Sequence, residues 1–378
     1  MTTLWLSEIG AADVERVGGK AASLGELTGA GLPVPDAFVV TAGTYRSFIE
    51  ATGIESALFE AVDVDTDDSR ALAAAAERAR ELILETDVPA SVREEVLAAY
   101  DELGDAAVAV RSSATAEDLP DASFAGQQDT YLNVSRADVV DRVKQCWASL
   151  FTQRAIYYRT EQGFDHEAVN IAVVVQTMVD AEKSGVCFTS HPSTGAPTAI
   201  VEAAWGLGEA VVSGTVSPDN YVVDRERGEV DDVTVAEKQV MCVRGEDGTT
   251  VERSVPEERR ERQVLDEDEL RRLVELGDRV ESHYDCPQDV EWAIDEGELY
   301  LLQSRPITTI DDAVAVGTDS GATADGGAMQ SQTDDVRLSG IGASPGTASG
   351  AVSVVEKLDN LDKVGEGDII VTEMTTPD

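Results

Sequence analysis

The residues best suited to chemistry lie in two short segments near residue 300. Asp289 and Glu291 are two positions apart, as are Gln303 and Arg305. In a β-strand, residues two apart point to the same face. Carboxylate and amide oxygens suit the hard cation Mg²⁺, and an arginine beside them could hold a phosphate that the metal also contacts. The alternative, in a chain with 73 acidic residues, is a hairpin whose carboxylates are simply solvated.

The register of this hairpin decides whether the four side chains can share one centre, because a slip of one residue reverses the face. Pairing Ile294 with Leu299 in an even register would turn Glu291 and Gln303 to opposite faces. A three-residue loop at 296–298, or a bulge with the same effect, would bring them to one face, and we predict one of these two arrangements. The residues expected on the opposite, buried face are Val290, Trp292 and Ile294.

A second candidate site is the polar stretch that follows a short apolar strand at 106–111. It begins at Arg111, continues through two serines, a threonine and two acidic residues to position 118, and resumes at 124–130. Arginine, hydroxyls and exposed backbone N–H groups can together wrap a polyphosphate. An ordinary capped loop explains these residues equally well, so spacing alone leaves both interpretations open.

Two familiar nucleotide motifs are incomplete. The segment Val17–Ser23 resembles a Walker loop around a Gly-Lys pair, but Val14 stands where the first glycine is required and Ala21 replaces the Ser or Thr. The Gly-x-Gly at 206–208 begins a dinucleotide fingerprint, but Val211 occupies the position of the last glycine. Neither motif is assigned.

The histidines and cysteines have no metal-binding spacing. The three histidines are isolated from one another, and no Cys-x-x-Cys pair occurs, so buried free thiols are expected rather than a disulfide framework or a zinc site. These residues are His166, His191, His283, Cys146, Cys187, Cys242 and Cys286.

The apolar periodicity predicts an α+β scaffold for these residues. A nearly continuous apolar run at Val169–Val179 is typical of a central buried strand. An alanine-rich helix spans Ser69–Glu85, and the next helix begins near Ser91, whose spacing to Glu94 is that of a capping box. Further helices are predicted at 137–158 and 267–283, and further strands at 106–111, 184–189, 199–204, 220–224, 290–294 and 299–303.

Composition argues against several classes of function. With 29 basic and 73 acidic residues the net charge is -44, whereas a nucleic-acid-binding protein needs a basic footprint. No apolar run approaches the ~20 residues of a membrane span, and residues 1–10 lack the pattern of a secretory signal. An acidic, lysine-poor surface on a core of normal hydrophobicity is typical of a salt-loaded cytoplasm, where ions screen self-repulsion. We therefore expect a cytoplasmic, halophilic protein.

The 378 residues divide at a segment rich in Gly, Ala, Thr, Asp and Gln. This segment, 311–335, lacks apolar periodicity and is predicted to be a flexible linker. Residues 336–378 begin a new β-rich segment that is too short to complete a domain of normal size.

Several stretches resemble, in the same order, the N-terminal region of the phosphoenolpyruvate synthase and pyruvate phosphate dikinase family, to which rifampicin phosphotransferase is related. Their number and co-linear order over roughly residues 4–310 make the resemblance specific. The stretches are Val17–Glu26, Arg111–Thr130, Cys146–Phe151, Gly206–Ala210 and Leu302–Thr308.

This resemblance implies an ATP-grasp-like nucleotide-binding domain at 1–310 that uses ATP and Mg²⁺. It also implies a role for individual residues. Lys20 and Arg111 would contact the ATP phosphates, and Gly126 and Thr130 would line the phosphate loop. Gln176, with the backbone of Met178 and Val179, would lie at the adenine. Glu291 and Gln303 would bind magnesium with Asp289 beside them, and Arg305 would hold the transferred phosphate.

The resemblance further implies that 336–378 is the start of a swivelling phosphohistidine domain. In the family the phosphate-accepting histidine stands in a Thr-x-His-Ala context, and a C-terminal barrel binds pyruvate; this sequence contains neither. We therefore expect the chain to bind ATP and to phosphorylate a histidine on another chain or in a longer protein, without making phosphoenolpyruvate alone. A rifampicin-phosphotransferase-like kinase and a non-catalytic nucleotide-binding remnant are the alternatives.

Overall fold

The computed structural model describes residues 2–104, 106–115, 118–119, 122–123, 129–192, 194–212, 214–307, 350–355, 365, 367 and 369–371. Its α-helices, α1 to α10, are Val14–Gly29, Ala42–Thr52, Glu55–Val62, Ser69–Glu85, Ala90–Glu102, Val139–Ala148, Gln153–Glu161, Glu209–Val212, Glu257–Arg260 and Glu267–Tyr284.

The strands of the described segments are numbered β1 to β17. They are Thr3–Trp5, Ala37–Val40, Val108–Ala114, Asp118–Leu119, Ala122–Ser123, Thr130–Val134, Ile171–Thr177, Lys183–Phe188, Thr198–Trp205, Asp219–Asp224, Glu229–Thr234, Val240–Arg244, Thr250–Ser254, Gln288–Asp295, Glu298–Pro306, Val352–Val354 and Ile369–Val371.

Two antiparallel sheets organise the chain, which confirms the predicted α+β class. A five-stranded sheet has the order β1-β2-β7-β3-β6, and a six-stranded sheet has the order β11-β10-β9-β8-β14-β15. Two short hairpins, β12-β13 and β4-β5, and a parallel pair, β16-β17, complete the described strands.

The five-stranded sheet is covered on both faces. Val173 and Val175 of β7 point into a large core formed with the helices α2 to α7, whereas Ala172 and Val174 pack against α1. Burial on both faces explains why β7 is an uninterrupted apolar run, as the sequence predicted.

The six-stranded sheet has one apolar face under α10 and one polar face. Leu273 and Val280 of α10 pack on Val201, Val290 and Trp292 of the sheet. Helix α1 lies between the two sheets, because it contacts β3 and β7 of the first and β15 of the second. The face of the second sheet that carries Glu291 and Gln303 is directed toward the first sheet, because Arg111 of β3 donates hydrogen bonds to both side chains.

The β14–β15 hairpin contains the predicted bulge. Its turn is the two-residue Glu296-Gly297, both with positive φ (49° and 80°), so the three-residue loop was wrong. Glu291 nevertheless pairs with Gln303, because the register shifts by one residue at Leu302. The bulge alternative is thus confirmed, and the pairs Glu291–Gln303 and Asp289–Arg305 each share a face. Val290, Trp292 and Ile294 are buried on the other face, as expected.

Three local expectations were wrong for identifiable reasons. Helix α5 starts at Ala90, directly after Pro89, so Ser91 lies inside it and does not act as its cap. The helix expected at 137–158 ends at Ala148, and after a 3-10 turn Thr152 caps a new helix by accepting a bond from the Ala155 amide at 3.2 Å. Strand β3 continues beyond its predicted end, because its last residues remain paired with β7.

Candidate functional site at the junction of the two sheets

The end of β3 is fixed against the start of α1. Gly18 adopts a φ of 77°, and a Cβ at this position would lie 2.2 Å from the carbonyl oxygen of Ser113. Only glycine accommodates both this conformation and this approach. Next to it, Lys20 Nζ donates to the Ser112 carbonyl at 3.0 Å, and the Ala21 amide donates to Ser113 Oγ at 3.1 Å. The incomplete Walker-like segment therefore packs closely against β3 and places Lys20 beside that strand.

Arg111 of β3 connects the two sheets. Its side chain is nearly buried, and its Nη1 donates to the Leu302 carbonyl at 2.6 Å. Its Nη2 donates to Glu291 Oε2 and to Gln303 Oε1, each at 2.9 Å. The bulge contributes directly, because the extra residue of a bulge leaves the ladder and Leu302 can offer its carbonyl to the arginine. Arg111 Nε is buried and has no partner among the described residues.

Arg305 forms a second ion pair on the same face. Its Nε and Nη2 both lie 2.8 Å from Asp289 Oδ2. The Asp289 side chain is 12% exposed, whereas that of Arg305 is 44% exposed. Burial raises the pKa of Asp289, and the attraction of Arg305 opposes that shift only in part. The side chain of Arg305 thus reaches solvent, whereas its carboxylate partner is nearly buried.

Glu291 and Gln303 are suitable ligands for Mg²⁺. Their oxygens face the same way and converge on one cationic group, the Arg111 Nη2. Both are oxygen donors, which magnesium prefers, and magnesium is commonly held by one or two protein groups together with substrate phosphates. Asp289 instead pairs with Arg305. Within the described residues, no cluster of three or more His, Cys, Asp or Glu could hold a metal by itself.

Gln176 of β7 is the polar residue on the same face of the first sheet. It is 2% exposed, and its Nε2 has no partner among the described residues. It lies diagonally next to Arg111, because β7 and β3 pair Gln176 with Ala109 and Val174 with Arg111. Two unpartnered buried donors, Arg111 Nε and Gln176 Nε2, therefore lie on adjacent positions of one surface. Buried donors of this kind require an acceptor.

The remaining predicted residues surround this surface, with one exception. Thr130 of β6 is exposed and pairs directly with Arg111. The Met178 amide donates to the Ala107 carbonyl at 3.0 Å, and its side chain packs, together with Val179, in an apolar cluster. Gly126 lies outside the described residues.

That apolar cluster was missed by the sequence reasoning. It joins the segment after β7 to the face of the second sheet that carries Glu291 and to the β12 hairpin. Its buried members are Val179, Ala181, Ala204, Leu207, Ala210, Val216, Cys242 and Ala293, and partly buried members include Leu132, Met178, Val240, Tyr300 and Leu302. The cluster borders the site, because Leu302 is one of its partly buried members and its carbonyl accepts a hydrogen bond from Arg111.

Glu202 is a further residue that the sequence reasoning missed. It lies on β9 in the same row as Glu291 and Gln303, since both Glu202 and Glu291 pair with Val186 of β8. Burial and the charge of Asp289 raise the pKa of its carboxyl. The sequence feature that could have identified Glu202 is that it is the one acidic residue in the largely apolar strand β9.

A cleft of about 230 Å³ lies beside Arg305, between α1 and the end of β15. Gly19, Ser23 and Thr115 line it together with Arg305. A larger hollow of about 400 Å³ lies at the other end of α1, near His283, away from the residues predicted to act. We assign the smaller cleft to the site, because Arg305 lines it, whereas none of the described residues predicted to act lines the larger hollow.

Comparison with known proteins identifies the family of this chain. Residues 14–323 match the family described as pyruvate phosphate dikinase, AMP/ATP-binding domain. A "Probable phosphoenolpyruvate synthase" of Archaeoglobus fulgidus is 50% identical over 385 residues, covering 100% of this chain and 50% of that protein. A "Probable phosphoenolpyruvate synthase" of Methanothermobacter thermautotrophicus is 49% identical over 382 residues, covering 99% of this chain and 54% of that protein.

A "Phosphoenolpyruvate synthase" of Pyrococcus furiosus is 44% identical over 423 residues, covering 99% of this chain and 51% of that protein. Among solved structures, a D-alanine–D-alanine ligase of Bacillus anthracis matches 79% of this chain and 66% of its own at 10% identity, with a TM-score of 0.28. That likeness is too low to support an argument.

The chain belongs to the pyruvate phosphate dikinase AMP/ATP-binding family. It spans about half the length of the three relatives named above. Within the described residues, no helix combines the length and the apolar character that a bilayer span requires.

Proposed function

We propose that this chain is the nucleotide-binding part of a phosphotransferase of the phosphoenolpyruvate synthase type. In the complete reaction, ATP, pyruvate and water would give phosphoenolpyruvate, AMP and phosphate, with a phosphohistidine as the intermediate carrier. The family match and the names of the relatives support this proposal. The main observation behind it is that Arg111 of the first sheet donates hydrogen bonds to Leu302 and Glu291 of the second. The same surface carries buried hydrogen-bond donors without partners among the described residues.

Electrostatic stabilisation by fixed cations is the central element of the proposed mechanism. Phosphoryl transfer requires positioning and charge neutralisation more than covalent chemistry by the protein. Arg111 would keep its bond to the Leu302 carbonyl and present Nε to a phosphate oxygen, while Lys20 would approach from the start of α1. Arg305, at the open cleft, would hold the phosphoryl group as it leaves the nucleotide.

Glu291 and Gln303 would hold Mg²⁺. When bound, the metal neutralises the phosphate oxygens and so lowers the barrier to their transfer. The apolar cluster around Met178 would accept the adenine ring, and the Gln176 amide would supply a hydrogen-bond donor to it. We include Mg²⁺ because both side chains present oxygen atoms to one cation.

The histidine that accepts the phosphoryl group would lie outside this chain. The three histidines present do not reach the site. His166 accepts a bond from Arg159, His283 contacts Glu26, and His191 lies in a turn closed by its bonds to Ala196 and Gly195. We propose that the acceptor is supplied by another segment of a longer protein or by a separate chain, in a cytoplasm of high ionic strength that suits a net charge of -44.

Calorimetric titration of the chain with ATP and MgCl₂ in molar KCl tests this proposal. We expect the unaltered protein to bind ATP, and Arg111→Gln to weaken binding by about tenfold or more, because a charged hydrogen bond is worth ~1.5–3 kcal/mol. The matched control is Arg271→Gln, which removes an exposed arginine from α10 and should leave affinity unchanged. Equal affinity in Arg111→Gln and Arg271→Gln, or no ATP binding by the folded protein, contradicts the proposal.

A further inference from the structure

A buried arginine lies on the opposite face of the five-stranded sheet, among the helices. Arg159 of α7 is 1% exposed. Its Nε donates to His166 Nδ1 at 3.0 Å, and its guanidinium carbon lies 5.6 Å from the centre of the Phe151 ring. This location is separated from Arg111 by the sheet itself, because Val173 and Val175 face the helices while Val174 faces α1.

Arg159 is charged, and no carboxylate within the described residues forms an ion pair with it. Burial lowers the pKa of Arg159 to about 10, which still leaves the guanidinium protonated at neutral pH. Burial and the charge of Arg159 lower the pKa of His166, so the imidazole is neutral and accepts the bond at Nδ1. A buried charge without a counter-charge is strongly unfavourable.

Two more polar groups in this core lack partners. Tyr45 Oη, Trp147 Nε1 and Arg159 Nη1 are buried, and none has a hydrogen-bond partner among the described residues. The Tyr45 and Trp147 rings are 6.1 Å apart, and the charge of Arg159 opposes the rise that burial causes in the pKa of Tyr45. Three buried donors, one of them charged, thus share one aromatic core.

We propose that these three donors bind a single chloride ion inside the helical layer. An anion accepts hydrogen bonds from all three groups and supplies the missing counter-charge. A water molecule fits less well, because it supplies no counter-charge, and of the three groups only the Tyr45 hydroxyl can accept a hydrogen bond from it. Aromatic walls favour a monovalent ion, since a multivalent anion loses far more hydration energy on burial.

Thermal unfolding in KCl and in potassium glutamate at equal ionic strength tests the site. Both salts screen surface charge, whereas chloride, unlike glutamate, can be buried among these donors without bringing further charged groups into the core. We expect a higher melting temperature in KCl, since a ligand that binds the folded state alone stabilises it. Trp147→Phe and Tyr45→Phe each remove one donor and should weaken chloride binding by about tenfold, which shrinks the difference between the two salts.

Trp292→Phe is the matched control. It also removes a buried, unpartnered indole N–H, but from the core under α10. It should lower the melting temperature in both salts alike and preserve the chloride-specific difference. Equal melting temperatures of the unaltered protein in the two salts, or a difference that Trp147→Phe leaves intact, overturn the proposal.

Crystals soaked in bromide give an independent readout. We expect an anomalous peak within about 3.5 Å of the Arg159 guanidinium, the range of a hydrogen bond to a halide. Ordered water only, with no anomalous peak, overturns the proposal. The site does not depend on the proposed phosphotransferase activity, because it lies on the other side of the sheet.

Discussion

Replacing Gly18 with alanine should disrupt the junction of α1 and β3 more than any other glycine substitution in that helix. The new Cβ would lie 2.2 Å from the Ser113 carbonyl oxygen, a backbone atom that cannot rotate away. The positive φ of 77° alone costs about 1–2 kcal/mol for alanine. Relieving the clash would break the bonds at Ser112 and Ser113, at about 1 kcal/mol each, and would leave a fully buried hydroxyl unsatisfied at about 1–3 kcal/mol.

Together these terms give a loss of about 4–7 kcal/mol, a large share of the ~5–15 kcal/mol that stabilises a typical domain. Two control variants separate the contribution of backbone strain from that of the lost contacts. Gly31→Ala has a φ of 68° with no atom within 4 Å of the new Cβ, so it reports the backbone strain alone. Gly29→Ala, inside α1 with no positive φ and nothing within 4 Å, should be neutral or slightly stabilising.

The assay is urea unfolding in molar KCl, followed by far-UV circular dichroism. We expect Gly18→Ala to lower the unfolding free energy by at least about 2 kcal/mol more than Gly31→Ala, because only Gly18→Ala also breaks the contacts with Ser112 and Ser113. Because Lys20 follows the same turn, ATP affinity should fall in Gly18→Ala and stay unchanged in Gly31→Ala. Equal unfolding free energies for these two variants would refute the packing argument.

Three further predictions concern salt, pH and proteolysis. With a net charge of -44, the melting temperature should rise with potassium glutamate across the molar range, and a flat profile would count against a halophilic protein. Burial raises the pKa of Glu202, so its protonated form favours the folded state and that contribution is lost as pH rises through the raised pKa. Glu202→Gln should therefore stabilise the protein at pH 7 and have little effect at pH 4, as urea unfolding at the two pH values would show; destabilisation at pH 7 would contradict this sign. Limited proteolysis should first cut within 311–335, whose composition cannot bury much surface, and first cuts inside 100–300 would contradict the predicted boundary.

Apolar periodicity was sufficient to predict several of the main helices and strands. The helix at Ser69–Glu85 matches its predicted bounds, and the central strand β7 lies within its predicted range. The face shared by Glu291 and Gln303 was predictable because a functional centre requires it, although the bulge residue was not. Which residue leaves the ladder depends on Arg111 from the other sheet, and local sequence carries no signal for such a partner.

The features that sequence reasoning missed depend on tertiary contacts. The apolar cluster around Met178 draws on β6, β9, β12 and β15, which are remote in sequence. Glu202 joins the site only because β8 lies between its strand and β14 in the sheet order. The break before Thr152, in contrast, had a local signal, since threonine is a favoured N-cap residue.

A crystal structure with MgCl₂ and a non-hydrolysable ATP analogue tests the central claim most directly. We predict that the triphosphate lies between Lys20, Arg111 and Arg305, with the metal on Glu291 and Gln303 and the adenine against Met178. An analogue bound elsewhere, or bound here while Arg111 keeps its bonds to both Glu291 and Gln303 and contacts no phosphate, would contradict the account.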